Sequence, residues 1–227
     1  MKKTVLTLIV IALFIPMESS VWAQDWANIT RYKQSNAELG LPDVGESRVV
    51  FMGNSITEGW SNLYADFFEG KPYVNRGISG QTSAQMLVRF RQDVIELGAH
   101  TVVILAGTND IAENQGPTTL KAIVDNIASM AELAYANGIE VIVGSVLPAF
   151  DYPWSPGLSP DSKIPQLNAL LMDYAGSRGF LYLDYFSAMT DGNNGLKPEL
   201  TSDGVHLTRA GYQVMSAIVE AALNNQK

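Results

Sequence analysis

From Arg48 onward, short β-branched runs alternate with stretches whose apolar positions recur at helical spacing. That alternation predicts an α/β domain, a parallel sheet with helices covering both faces. Strands are expected at Val49–Met52, Tyr73–Asn75, Thr101–Leu105, Glu140–Ser145 and Phe180–Tyr185. Between them, Met86, Leu87, Phe90, Val94 and Leu97 form one helical stripe, and Leu120, Ile123, Ile127, Met130 and Ala134 form another. Both stripes are read as core. Gly138 and Gly179 each stand just before a strand, where a left-handed residue ends a helix. A last amphipathic helix is expected over Thr208–Leu223. The least regular stretch, Phe150–Ser162, is rich in Pro, Ser and aromatics and follows a strand. It is therefore expected at the carboxyl end of the sheet, where ligands bind in open α/β folds.

The N-terminus follows a different pattern. Lys2 and Lys3 precede an apolar run from Val5 to Ile15, and a small-residue exit follows at Val21-Trp22-Ala23. This is the three-part form of a secretory signal, expected to span residues 1–23 and to be removed after Ala23. The run is about a dozen residues, short of the roughly 20 a membrane-spanning helix needs. An uncleaved N-terminal anchor is the alternative; acylation is excluded, because the chain has no cysteine. Residues 24–47 form a lead-in, either a helix packed on the domain or a partly ordered segment, with Trp26, Tyr32 and Leu39 favouring packing. Residues 48–227 form the domain, and no internal repeat interrupts it.

Cleavage would leave 204 of the 227 residues, a length suited to one hydrophobic core. It also removes Lys2, Lys3 and Glu18, which moves the formal charge from −8 to −9. An acidic surface without a Lys/Arg cluster repels nucleic acid and anionic lipid headgroups. The absence of cysteine excludes disulfides, a thiolate nucleophile and a thiolate metal site. Two histidines, His100 and His206, are too few for a multi-histidine metal centre. No metal site is assigned.

Three segments fall at the carboxyl ends of expected strands and should converge on one rim: Gly53–Thr57, Asn75–Thr82 and Gly107–Asp110. A fourth, Asp203-Gly204-Val205-His206, precedes the last helix. Ser55, directly after a strand and a glycine, is either a helix cap or a projected nucleophile. The second reading requires a base. His206 can serve, since an ordinary imidazole titrates at about 6.5, and Asp203 can reach its other ring nitrogen. Equally, Asp203 can cap the last helix with His206 in its first turn. Gly80 and Asn109 can donate to an oxyanion through a backbone N–H and a side-chain amide, with the Ser55 N–H as third donor; each alone also reads as a turn residue. His100 precedes an interior strand and is assigned no role.

Together these residues resemble the SGNH, or GDSL-like, hydrolase family from about Arg48 to Leu223. Ser55, Gly80, Asn109 and His206 match the four residues for which that family is named, and Asp203 matches its triad acid. The resemblance implies a flavodoxin-like three-layer α/β/α sandwich with a five-stranded parallel sheet. It further implies ester or thioester hydrolysis without metal or organic cofactor, and an oxyanion hole of Ser55, Gly80 and Asn109. One departure stands out: the family's Gly-Asp-Ser has become Gly53-Asn54-Ser55, which keeps shape and hydrogen-bonding reach but not charge.

The substrate expected is a small-molecule or glycan ester, with O-acetyl groups on carbohydrate favoured by export, acidity and the aromatics Tyr152 and Trp154; Asn54 joins these two as a substrate contact. The protein is expected to be exported, to the periplasm or outside the cell. Other family chemistries, on lysophospholipids or thioesters, are alternatives, as is a glycan-binding protein that has lost the reaction. A flavodoxin-like nucleotide binder is a further alternative, but the chain lacks the phosphate-loop and Gly-x-Gly-x-x-Gly patterns.

Overall fold

A computed structural model of the chain describes residues 25–225. The expected signal at residues 1–23 lies outside the described residues. In chain order the elements are α1 (Lys33–Leu39), β1 (Val49–Gly53), α2 (Ser55–Leu63), β2 (Tyr73–Gly77), α3 (Ser83–Phe90), β3 (Thr101–Leu105), α4 (Thr108–Ile111), α5 (Leu120–Ala136), β4 (Glu140–Gly144), α6 (Pro160–Arg178), β5 (Leu181–Leu183), α7 (Tyr185–Met189) and α8 (Arg209–Asn225). All strand pairs are parallel, in the order β2-β1-β3-β4-β5. This is the flavodoxin-like order, with helices on both faces, as the resemblance implied.

The central strands β1 and β3 are buried along their whole length and almost wholly apolar because both sheet faces are covered there, whereas the edge strand β2 carries Asn75 and Arg76. Val50, Met52, Val102, Ile104, Val141 and Val143 enter one core with α3, α5 and α6. Their neighbours Val49, Phe51, Val103, Leu105 and Ile142 enter a second core with α2, α7 and α8. In that second core Trp60 stacks on Phe67 at 4.7 Å between ring centroids, while Phe51 meets both rings edge-on.

Most boundaries shift by one or two residues from the sequence expectation, and three departures have a clear physical reason. β5 is only Leu181–Leu183, because the Asp184 side chain accepts from the Ser187 N–H and turns the chain into α7. α6 begins at Pro160, inside the stretch expected to be irregular; a proline suits a first helical turn, whose N–H groups have no helical partner. The stripe from Met86 to Leu97 is not one α-helix: Arg91–Ile95 winds as a π-helix. That wider turn carries Asp93, whose carboxylate accepts from Arg89 at 2.9 Å and from Asn36 at 2.7 Å.

Residues 25–47 pack on the domain. Ala27 is buried, the Tyr32 hydroxyl donates to the Gly77 carbonyl, and Arg76 lies over the Tyr32 ring. The carboxyl ends of β1 and β2 then press against α2, Gly53 on Thr57 and Gly77 on Thr57 and Glu58. A Cβ on Gly77 would stand 2.1 Å from the Glu58 nitrogen and 2.7 Å from the Thr57 carbonyl carbon. Those atoms are helix backbone and cannot swing aside, so Gly77→Ala is expected to cost about 3 kcal/mol, the upper range for overpacking. For a domain of this size that lowers Tm by roughly 6–12 °C, measured by calorimetry. An unchanged Tm would mean that β2 and α2 separate freely.

Candidate active site

The strand order reverses between β1 and β3, so the loops that follow these strands diverge to opposite faces and leave a crevice at the carboxyl rim. Ser55 stands there as the first residue of α2. Asn54 caps that helix by accepting from the Ile56 N–H at 3.0 Å. The cap is therefore Asn54, and the Ser55 hydroxyl is left free. It points to His206, with Oγ 3.1 Å from Nε2.

Asp203 holds His206 from the other side. Its Oδ1 accepts from the backbone N–H groups of Val205 at 2.9 Å and His206 at 2.7 Å, which leaves Oδ2 2.7 Å from Nδ1. A carboxylate can only accept here, so Nδ1 carries the proton and Nε2 presents its lone pair to Ser55. Asp203 does not cap α8, and His206 lies before that helix. Helix α8 in turn fixes α2: the Tyr212 hydroxyl donates to the Ile56 carbonyl at 2.9 Å, and the Trp60 indole donates to Ser216 at 3.1 Å. Ser55, on α2, and His206, in the loop that leads into α8, are far apart in sequence and are thus held together by helices joined beside them.

Burial pushes the Asp203 carboxyl upward, but the hydrogen bonds from the His206 ring and from the His206 and Val205 backbone outweigh it and hold the group below its ordinary value. A lowered carboxylate contributes stability that is complete above its unfolded value and lost as pH falls through the folded one. The urea midpoints of the wild type and of Asp203→Asn are therefore expected to differ at pH 7 and to draw together only as pH falls below about 4. A gap as wide at pH 3 as at pH 7 would mean that the loop is held by something other than this ionised group.

The Gly80 and Asn109 segments are locked to each other. Asn109 Nδ2 donates to the Gln81 carbonyl at 2.9 Å, and its Oδ1 accepts from Asn114 at 3.1 Å. These two bonds set the orientation of the amide and leave one Nδ2 hydrogen uncommitted. Asp110, the next residue, accepts both the N–H (at 2.9 Å) and the hydroxyl of Ser83 at the start of α3. Burial holds the Asp110 carboxyl above its usual range despite those bonds. On the other side, Ser79 is held by Glu58 of α2. Gly80 itself is exposed with φ +78°, and neither its N–H nor that of Ser55 donates to another group among the described residues.

The expected substrate contacts fare differently. Tyr152 is 0% exposed and is bonded through its hydroxyl to Thr108 at 2.9 Å. It is corrected here to a buried support: its ring carries Trp154, stacked at 5.2 Å. Trp154 is 44% exposed, and its ring lies 5.8 Å from that of His206. Asn54 is 2% exposed, so its main contact is the helix cap. It reaches open space only as a wall of a small apolar notch of about 10 Å³, shared with Ile56, Leu105, Val146 and Val205. Two residues near the site were not anticipated from sequence. Asn114 joins Trp154, Gly80 and Asn109, and Trp26 borders the Gly80 loop. Only the position of Asn114, shortly after Asn109, offered a signal.

Comparison with known proteins identifies the family. The sequence profile of the GDSL-like Lipase/Acylhydrolase family matches residues 51–214. A protein from Bacteroides fragilis described as an acylhydrolase superposes with a TM-score of 0.87 at 51% identity, covering 89% of this chain and 99% of that one. A GDSL-like lipase from Bacteroides thetaiotaomicron gives 0.86 at 48%, covering 88% and 99%. Esterase TesA of Pseudomonas aeruginosa is 37% identical over 116 residues, 48% of this chain and 55% of that protein. The chain spans about half the length of the curated relatives it matches. With 164 of its 227 residues inside the matched region, the chain belongs to the GDSL-like lipase/acylhydrolase family, a family of ester-hydrolysing enzymes.

Proposed function

We propose that the protein is a serine ester hydrolase acting on short-chain esters, above all O-acetyl groups on carbohydrate. The observation that carries the reading is the Ser55–His206–Asp203 relay, with contacts of 3.1 and 2.7 Å and the tautomer that a base requires. Ser55 Oγ attacks the ester carbonyl while its proton passes to His206 Nε2. The oxyanion is met by the N–H groups of Ser55 and Gly80 and by the uncommitted Asn109 hydrogen, donors already in place before charge develops. His206 then gives its proton to the departing alcohol. In the second half it takes a proton from water, which attacks the acyl-Ser55 ester, and returns that proton to Ser55 Oγ as the acid leaves.

One feature supports a small acyl group: a notch of about 10 Å³ walled by Asn54, Ile56 and Val205, the sequence neighbours of Ser55 and His206, has room for about one water-sized group and hence for an acetyl methyl. Among the described residues no helix is long and apolar enough to cross a membrane. Export is part of the same proposal and rests on the N-terminal signal pattern; a Bacillus subtilis relative, 27% identical over 129 residues, is named as a lipoprotein.

The test is hydrolysis of p-nitrophenyl esters from acetate to octanoate by purified protein, with Ser55→Ala as blank. A kcat/KM highest on acetate and falling with each added carbon is expected. An optimum at octanoate would reject the acetyl reading in favour of lipid or thioester substrates.

A further inference from the structure

We propose that the groove running from Gly80 past Asn114 and Gln115 to Trp26 is the subsite for the alcohol part of the ester, and that it takes a neutral sugar chain. The proposal rests on the serine hydrolase reading above and adds where its carbohydrate is held. The groove has a volume of about 430 Å³ and includes Asn28 and Ser79 in its wall.

One half-exposed indole, Trp26, lines the groove, and a second, Trp154, is tied to its wall through Asn114. Trp26 is 46% exposed and donates its N–H to Gln115 Oε1 at 2.7 Å; Trp154 donates to Asn114 Oδ1 at 3.1 Å. Consecutive residues thus hold the two rings. With both N–H groups satisfied inside the protein, each ring offers a ligand its apolar face and nothing else, which suits the C–H face of a pyranose. Around the rings stand neutral amides: the Asn28 side chain and Gln115 Nε2 have no hydrogen-bond partner among the described residues.

Charge narrows the ligand further. The charged side chain of the lining, Asp25, spends its carboxylate on the N–H groups of Ile29 and Thr30 and on the Thr30 hydroxyl, at 2.7 to 3.0 Å. Among the described residues no Lys or Arg lines the groove, so a phosphate or carboxylate headgroup would meet no counter-charge from them. The near end is continuous with the chemistry. Gly80 supplies an oxyanion donor there, and Trp154 lies against His206, the group that returns the proton to the leaving alcohol. A sugar leaving past Trp154 therefore extends toward Trp26.

The experiment compares kcat/KM on O-acetylated xylose and glucose oligosaccharides with kcat/KM on p-nitrophenyl acetate for wild type, Trp26→Ala and Trp26→Phe. In Trp26→Ala the oligosaccharide-to-aryl ratio is expected to fall about tenfold, carried by KM, the loss of one aromatic face. Trp26→Phe, which keeps a ring and removes the N–H, should recover most of that ratio. If wild type deacetylates the oligosaccharides and Trp26→Ala keeps the ratio, the groove is not the subsite and the carbohydrate reading stands. Equal losses on both substrates would place Trp26 in support of the Gly80 loop and also overturn the subsite. If wild type cleaves the aryl acetate through Ser55 and leaves every oligosaccharide intact, the subsite and the carbohydrate reading fall together while the serine mechanism survives.

Discussion

Replacing Ser55 by alanine is expected to lower kcat on p-nitrophenyl acetate by about a millionfold, the loss seen when a comparable serine hydrolase gives up its nucleophile. The fold should not change, because the helix cap is Asn54 and alanine is well tolerated at a first helical position. Circular dichroism and Tm should therefore match wild type. His206→Ala is expected to lose about as much, and the double variant little more, since a nucleophile without its base and a base without its nucleophile fail at the same step. Asp203→Asn should lose about 10⁴-fold, because an amide in place of Oδ2 can donate to Nδ1 and so favours the tautomer with the proton on Nε2. The measurement is kcat with active-site titration of each preparation. Retention of a tenth of wild-type activity in Ser55→Ala would remove the acyl-enzyme mechanism.

The second large effect concerns stability. Arg89 is fully buried, and its guanidinium donates to Gln81 Oε1 at 2.6 Å, Asp93 at 2.9 Å, the Arg76 carbonyl at 2.9 Å and the Gly53 carbonyl at 3.1 Å. It thereby closes the carboxyl ends of β1 and β2, directly beneath Ser55 and the Gly80 loop. Arg89→Met fills similar volume but leaves the buried Asp93 charge and three acceptors short of a donor. A cost of about 3–5 kcal/mol is expected, with Tm lower by roughly 6–20 °C. Arg89→Lys should not rescue it, since one ammonium cannot span four acceptors in the guanidinium plane. Pairing Arg89→Met with Asp93→Leu should recover part of the loss, because the second change removes the uncompensated charge. A cost below about 1 kcal/mol, measured by urea denaturation, would mean that water takes over those acceptors.

Some of this was legible in the chain because it depends on local chemistry. Strand cores such as Thr101–Leu105 could be read because burial on both faces demands an unbroken apolar run. Ser55, Gly80, Asn109, Asp203 and His206 were legible as candidates because they fall near strand ends or a helix start, points that this topology brings to one rim, but it took the resemblance to the SGNH family to choose catalytic roles for them over caps and turns. Asp203 reaches His206 across two residues, so that pair was also within local reach.

What the chain alone left open depends on contacts between distant segments. Nothing in the alternation of residues separates Tyr152 from Trp154, two aromatics in one loop; only the packed structure buries the first and exposes the second, because Thr108 takes the Tyr152 hydroxyl. The π-helical turn at Arg91–Ile95 follows from where the Asp93 carboxylate must go, between Arg89 and an asparagine 57 positions earlier in sequence. Whether residues 25–47 pack was decided by Tyr32, Asn36 and Ala27 meeting strand ends formed much later in the chain. Residue type and spacing thus determined the alternation of strands and helices and the candidate reacting groups among which the family resemblance chose, since those follow from periodicity and side-chain chemistry. Tertiary structure alone decided which polar groups stay free to act, because a hydrogen bond from a distant segment commits a side chain in a way no neighbour in sequence reveals.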